Sequence, residues 1–176
     1  WAGIGRIPKG SRSVIRIGDY RDTARAVELL RDSRSGAGFD RADGPSGFVF
    51  PFRADYAERL FLTYSRTPRM ICLIHDVDSV AQGVLMGHAF EHDFGPVWIA
   101  QERVWWIDPA HRGGTAAFRM LDAFEAWAAN QGCSFVGMAG MGDDPAVMKL
   151  YRRRGYLGAE THCLKPLNVD KLHKRG

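Results

Sequence analysis

Apolar positions change period several times along the chain, and each change marks an element. Residues 13–17 (SVIRI) form a short β-branched run that reads as a strand. Over residues 21–34 the spacing widens, so that Ala26, Val27 and Leu30 share a helical face, with Asp19 placed as the N-cap. Residues 35–46 carry three glycines and a proline without any period, and read as a loop. A second helix is expected over 53–65, where Phe52, Tyr56, Leu60 and Tyr64 recur every four residues and Pro68 stops the run. Residues 69–75 and 80–92 are strand-like and separated by Asp76-Val77-Asp78-Ser79, a tight-turn composition, so a hairpin is expected. A third run, 97–107, ends at Asp108-Pro109. Between 114 and 131, Ala117, Met120, Leu121, Phe124 and Ala128 make one apolar stripe, and Gly132 sits at the C-cap position. A buried strand over 133–139, a short helix over 145–154 and a last strand over 161–167 complete the order β, α, α, β, β, β, α, β, α, β.

At 176 residues this is most simply one domain, long enough to bury about 70% of the unfolded surface. Apolar residues at 45% and charged residues at 25% argue against wholesale disorder and against a fibre. The longest uncharged run, 126–142, contains Asn130, Gln131 and several glycines, so no membrane span and no membrane partner is expected. Cys72, Cys133 and Cys163 cannot all pair within one chain and lie in apolar runs, which suits buried free thiols in a reducing compartment; a cytoplasmic protein is expected. No signal-peptide pattern is visible, although the chain begins at Trp1 and not Met, which leaves upstream residues open.

The net charge of +4 reads as an ordinary surplus of Lys and Arg: it admits a nucleic-acid partner without calling for one. Arg152, Arg153 and Arg154 precede Gly155, where cations favour a helix C-terminus, and Lys165, Lys171, Lys174 and Arg175 decorate the tail. Neither cluster is interleaved with aromatics as a groove for single-stranded nucleic acid would be. The organisation expected is a Gly-rich basic arm or linker over 1–12, a folded domain over 13–168 and a basic tail over 169–176.

The stretch with most chemistry in it is VWWIDPAHRGGTAA, from Val104 to Ala117. An apolar strand runs through an Asp-Pro turn into a Gly-rich helix opening, and the unpaired N–H groups of a first helical turn bind anions. Glycines there let a bulky phosphate come close to the main chain. The positions are Arg112, Gly113, Gly114, Thr115, Ala116 and Ala117; further on, Asp144 precedes Leu150-Tyr151 and Gly155-Tyr156. On these residues the chain resembles the GNAT family of acyl-CoA-dependent N-acyltransferases. Members of that family carry Arg or Gln, two residues, Gly, one residue, then Gly or Ala in a pyrophosphate loop, and later Asn and Ala ahead of Leu-Tyr and Gly-Phe. In the loop one position departs: Thr115 stands where the central Gly is usual, which narrows the approach of a pyrophosphate while its hydroxyl adds a donor; the second signature matches with conservative changes, Asp144 in the Asn position and Tyr156 in that of the Phe.

The resemblance implies an α/β (α+β) fold, a mixed, mostly antiparallel twisted sheet flanked by helices. It also implies acetyl-CoA as acyl donor, direct transfer to a primary amine of a small molecule or protein, and no metal. Cofactor contacts would come from the backbone of Ile107 and Asp108 along the pantetheine arm, from Arg112, Gly113, Gly114, Thr115, Ala116 and Ala117 at the pyrophosphate, and from Asp144. Arg112 could equally be solvated. Acyl transfer from a thioester to an amine needs an uncharged amine, a stabilised oxyanion and a proton for the departing thiolate. A phenol, with a pKa of about 10 against about 8.5 for a thiol, can supply that proton. The resemblance points to Tyr151 for that acid, whose plain alternative is a packed amphipathic tyrosine, and to Glu102 for the base, whose alternative is a salt bridge on a sheet surface. Strict alternation puts Glu102, Val104 and Trp106 on one face and Arg103, Trp105 and Ile107 on the other, unless the strand carries a bulge.

Among six histidines the densest acidic neighbourhood is His88, Glu91, His92 and Asp93. Residues four apart on a strand are about 13 Å apart, too far to share a zinc at about 2 Å, so these are read as lining an acceptor pocket. Cys133 has no nearby His and reads as a core thiol. Two further readings stay open: a toxin-like relative acetylating aminoacyl-tRNA, and a catalytically silent binding module whose arm docks on a partner. Dimers are common among relatives, which leaves a homodimer open.

Overall fold

The computed structural model describes residues 11–43, 47, 49–139, 145–159, 164, 165 and 167. Most of the expected arm and last strand, the whole tail, Asp144 and Cys163 lie outside the described residues. The chain divides into two compact units, Trp1–Ser33 with Phe52–Met138 and Arg34–Pro51 with Ala139–Gly176.

The first unit is a five-stranded sheet: β1 (Ser13–Ile17), β2 (Met70–Val77), β3 (Val80–Glu91), β4 (Trp98–Ile107) and β5 (Phe135–Gly137), paired in that order. The first four pair antiparallel and β5 lies parallel to β4. Alternation along the strands sorts two cores. Cys72, Ile74, Val84 and Met86 pack with Ala26, Leu29 and Leu30 of α1 (Thr23–Gly36) and with Ala57, Phe61 and Tyr64 of α2 (Ala54–Arg66). Ile71, Leu73, Leu85, Ala100 and Ile107 pack on Ala116, Met120, Phe124 and Ala128 of α3 (Ala116–Asn130), on the other face.

Local chemistry sets the element ends. Asp19 caps a short 3-10 turn, Tyr20–Asp22, that leads into α1: its carboxylate accepts the Arg21 N–H at 2.8 Å, while Asp22 accepts the Asp19 N–H at 2.9 Å. The Arg21 guanidinium beside Asp19 holds that carboxyl down at about 2. The β2–β3 hairpin turns on Asp78 and Ser79, with φ of 51° and 68°, so β2 extends to Val77 and the connection has two residues of the primed kind that suits strand twist. Arg16 of β1 joins Asp22 and Asp76 at 2.7 Å each, which raises its own pKa further.

Two expectations are corrected. The four-residue stripe on α2 drifts off the buried face: Ala57, Phe61 and Tyr64 are buried whereas Tyr56 is 59% exposed, because a helix repeats every 3.6 residues and not every four. The run 133–139 yields only the three-residue β5, and it is not buried: Phe135 is 62% exposed, and among the described residues β5 pairs with β4 at Ile99–Gln101 and with no other strand.

In the second unit, Phe39 and Phe50 meet edge to face at 4.9 Å, and the Phe50 N–H reaches the Phe39 carbonyl at 2.9 Å. Its helix α4 (Pro145–Arg153) ends at Gly155, whose φ of 85° lets the Tyr156 N–H return to the Tyr151 carbonyl at 3.0 Å.

Candidate active site

The site is built on β4, where the strand changes character. Register with β3 slips at Met86/Gly87: Val104 pairs Met86, Glu102 pairs Gly87, and Arg103 is the extra residue of a bulge. The bulge overturns strict alternation. Glu102 shares the α3 face with its partner Gly87 and with Trp105 and Ile107, while Val104 and Trp106 pack on the α1/α2 side. Glycine is needed at 87, because a Cβ there would lie 2.5 Å from the fully buried Phe124 ring. Glu102 is only 7% exposed. Arg103 lies beside Tyr64 and His88; burial raises the Tyr64 phenol against the pull of Arg103, and burial together with that cation lowers His88.

Beyond the bulge the strand has one partner among the described residues. β5 covers Ile99, Ala100 and Gln101 and no further, while β3 continues to Gly83 opposite Ile107. The Asp108 N–H goes to the Gln82 carbonyl at 2.8 Å, so the alternate residue Ile107 turns its N–H to the edge that β5 leaves open.

The corner after β4 is tied at many points. Asp108 Oδ1 accepts the Ala110 N–H at 3.0 Å, capping the 3-10 turn Pro109–His111, and Asp108 Oδ2 accepts Arg25 Nη2 at 2.8 Å. Arg112 folds back: its Nε donates to the Ile107 carbonyl at 2.8 Å and its guanidinium stacks 4.2 Å from the Trp106 ring. The backbone then turns through Gly113 and Gly114, with φ of 104° and 56°, into α3. Thr115 is the N-cap residue but its side chain makes no capping bond. No acidic residue occupies the first turn of α3, and a Cβ on Gly114 would meet nothing within 4 Å. Among the described residues no acceptor faces the N–H groups of Gly114, Thr115, Ala116 or Ala117; the first helical bond is Arg119 N–H to the Thr115 carbonyl. An uncapped helix start behind two glycines is an anion cradle, and these residues fit a diphosphate.

The structure thus brings Ile107, Asp108, Arg112 and Gly113 to Ala117 into one corner, on the strand that carries Glu102. Tyr151 belongs to the second unit, on α4, where it is 4% exposed and donates its hydroxyl hydrogen to the Ala139 carbonyl at 3.1 Å. The ring of Tyr156 lies 5.5 Å from its own. His88 stacks on Phe90, and His92 forms the β3–β4 connection, its Nδ1 accepting the Phe94 N–H at 3.2 Å. No cluster of three His, Cys, Asp or Glu that could hold a metal occurs among the described residues. Nor, among them, is any helix long and apolar enough to cross a membrane. Sequence reading missed Arg25, Gln82 and Trp106. For Gln82 a signal existed, a polar residue beside Gly83 breaking an apolar strand, which marks a bulge; Arg25 carries none.

The strand that runs into a glycine turn and an uncapped helix is the arrangement of the acetyltransferase class, and the family comparison agrees. The model of the acetyltransferase (GNAT) family matches residues 39–156, more than half of the chain, and the chain belongs to that family. Solved structures share its fold at low identity. One is the aminoglycoside N-acetyltransferase AAC(6')-Iy in complex with CoA, with TM-score 0.70 and 14% identity over 92% of this chain and 99% of that one. Another is a ribosomal-protein-alanine N-acetyltransferase from Brucella melitensis biovar Abortus 2308, with TM-score 0.66 and 14% identity over 89% and 99%. A third is a predicted acetyltransferase with acetyl-CoA from Clostridium acetobutylicum, with TM-score 0.68 and 12% identity over 90% and 98%. No curated protein sequence matches the chain.

Proposed function

We propose that the protein transfers an acetyl group from acetyl-CoA to a primary amine by direct attack in one ternary complex. The observation that carries this reading is the uncapped start of α3, opened by Gly113 and Gly114, at the end of a strand whose pairing with β5, among the described residues, stops at Gln101. Two of the structures that share the fold are named for transfer to amines, of an aminoglycoside and of a ribosomal protein's alanine, which supports an amine acceptor.

In this reading the donor supplies an acetyl group activated as a thioester. The N–H groups of Gly114 to Ala117 hold its diphosphate, and the Ile107 N–H on the open edge pairs with the amide-bearing arm as a further strand would. An amine arrives mostly protonated at neutral pH, since its pKa is about 8 for an α-amine and about 10 for a lysine-like one, so a base is required. Glu102 is assigned that part, directly or through water. Tyr151 is assigned the proton for the leaving thiolate: its phenol is a donor already, to the Ala139 carbonyl. The buried free thiol of Cys72, raised by burial, fits a reducing, cytoplasmic setting.

Calorimetric titration with acetyl-CoA, with dephospho-CoA and ATP as comparisons, tests the donor. Saturable binding near one equivalent is expected; no binding at high micromolar donor overturns the reading in favour of a module without chemistry. With an amine acceptor in hand, Tyr151→Phe is expected to lower turnover about 10- to 1000-fold while donor affinity is kept. Unchanged turnover removes Tyr151 from the mechanism.

A further inference from the structure

The corner between β4 and the glycine turn is held by a residue far away in the chain. Arg25 lies in the first turns of α1, and its guanidinium makes four contacts. Nε donates to the Ala81 carbonyl at 3.1 Å, Nη1 to Glu28 Oε2 at 2.7 Å, and Nη2 to Gln82 Oε1 at 3.3 Å and to Asp108 Oδ2 at 2.8 Å. Gln82 and Asp108 are the two sides of one joint. Gln82 is the extra residue of a β3 bulge, opposite the step between His75 and Asp76, and its carbonyl takes the Asp108 N–H at 2.8 Å. Asp108 in turn orients everything downstream: its Oδ1 takes the Ala110 N–H and its carbonyl the His111 N–H at 2.8 Å, one turn before Gly113.

We infer that Arg25 is a positioning residue for the diphosphate cradle. By gripping Asp108 and Gln82 together it sets the direction in which the chain leaves β4, and hence where the N–H groups of Gly114 to Ala117 point. This rests on the acetyl-CoA reading and sharpens it. Three features favour positioning over general stabilisation. All four contacts of the Arg25 guanidinium are with polar atoms, and the one core residue among them, Ala81, is met at its backbone carbonyl; the fork spans α1, the β3 bulge and the β4 end; and a planar fork with fixed donors transmits orientation as a flexible ammonium does not.

The test compares two donors that differ in the diphosphate. Acetyl-CoA is titrated by calorimetry and S-acetylpantetheine, which lacks the nucleotide and diphosphate, by ligand-observed NMR, against the unaltered protein, Arg25→Ala and Arg25→Lys. A misaligned cradle is expected to weaken acetyl-CoA about 10- to 100-fold in Arg25→Ala, with Arg25→Lys between, and to leave S-acetylpantetheine within about twofold. Equal loss for both donors, or none for either, in a variant that keeps its melting transition overturns the inference alone. Where Arg25→Ala does not fold, Arg25→Lys decides by the same ratio. An unaltered protein that binds neither donor overturns the acetyl-CoA reading and this inference with it.

Discussion

The two halves of β4 make an instructive contrast. Residues Ile99 to Gln101 have a strand on both sides, and the start of β4 is covered: the Arg69 guanidinium stacks 3.6 Å from the Trp98 ring, and the Gln101 side chain fills the place a Cβ on Gly137 would take. Residues 102–107 keep β3 on one side and no strand on the other among the described residues. One extra residue, Arg103, separates the halves. The bulge turns Glu102 to the α3 face, and the strand no longer runs in step with β5. A strand paired on both sides satisfies its own backbone and is scaffold; an N–H turned away from its one neighbour, as that of Ile107 is, can meet a ligand that imitates a strand.

Substitutions break this contrast in graded ways. The largest effect is expected from Phe124→Ala, because that ring is fully buried beneath the bulge; a loss of about 3–5 kcal/mol is expected in urea unfolding, spread over both halves. A cost near that of a surface substitution would show that α3 does not hold the bulge. Gly87→Ala presses on the same ring from the sheet and should cost about 1–3 kcal/mol. In a double-mutant cycle it should recover part of that cost when Phe124→Ala is already present, whereas strict additivity would place the two sites out of contact.

Gly114→Ala addresses the open half. The Cβ meets no neighbour, so the cost is conformational, about 1–2 kcal/mol at a φ of 56°. Acetyl-CoA affinity should fall more than stability does, which calorimetry and unfolding together report; full affinity in a folded variant would move the diphosphate away from this turn. The smallest effect is on pH. His75 is fully buried under Gly83, across from Ile107, with its Nε2 3.0 Å from Ser13 Oγ. Burial, helped by His111 and Arg119 and opposed by Asp76, lowers its pKa. Its contribution is fully present above the unfolded histidine value of about 6.5, begins to fall as pH drops below it, and is lost once pH passes the lower folded value. Urea midpoints should therefore decline from pH 8 to pH 5, and less steeply in His75→Gln; parallel slopes would acquit His75.

Much of the fold was legible in the chain. β1 runs over Ser13–Ile17 as the β-branched run indicates, Asp19 caps the first helical segment, and Gly132, with φ of 79°, ends α3 where the stripe Met120, Leu121, Phe124, Ala128 stops. These follow from periodicity and caps, which act over a few residues. The α2 stripe went astray because four-residue spacing only approximates a helical turn, and β5 because an apolar run does not reveal how much of it finds a partner.

By itself the sequence determined the local chemistry of this protein. A strand, an Asp-Pro corner and two glycines ahead of a helix without an acidic first turn are enough to specify an uncapped helix start, since each depends on near neighbours and backbone sterics. The tertiary structure alone decided which face Glu102 occupies, which residues of β4 pair with β5, and that Arg25, 83 residues before Asp108, grips the corner. Those depend on register and on contacts between distant segments, which no local pattern encodes.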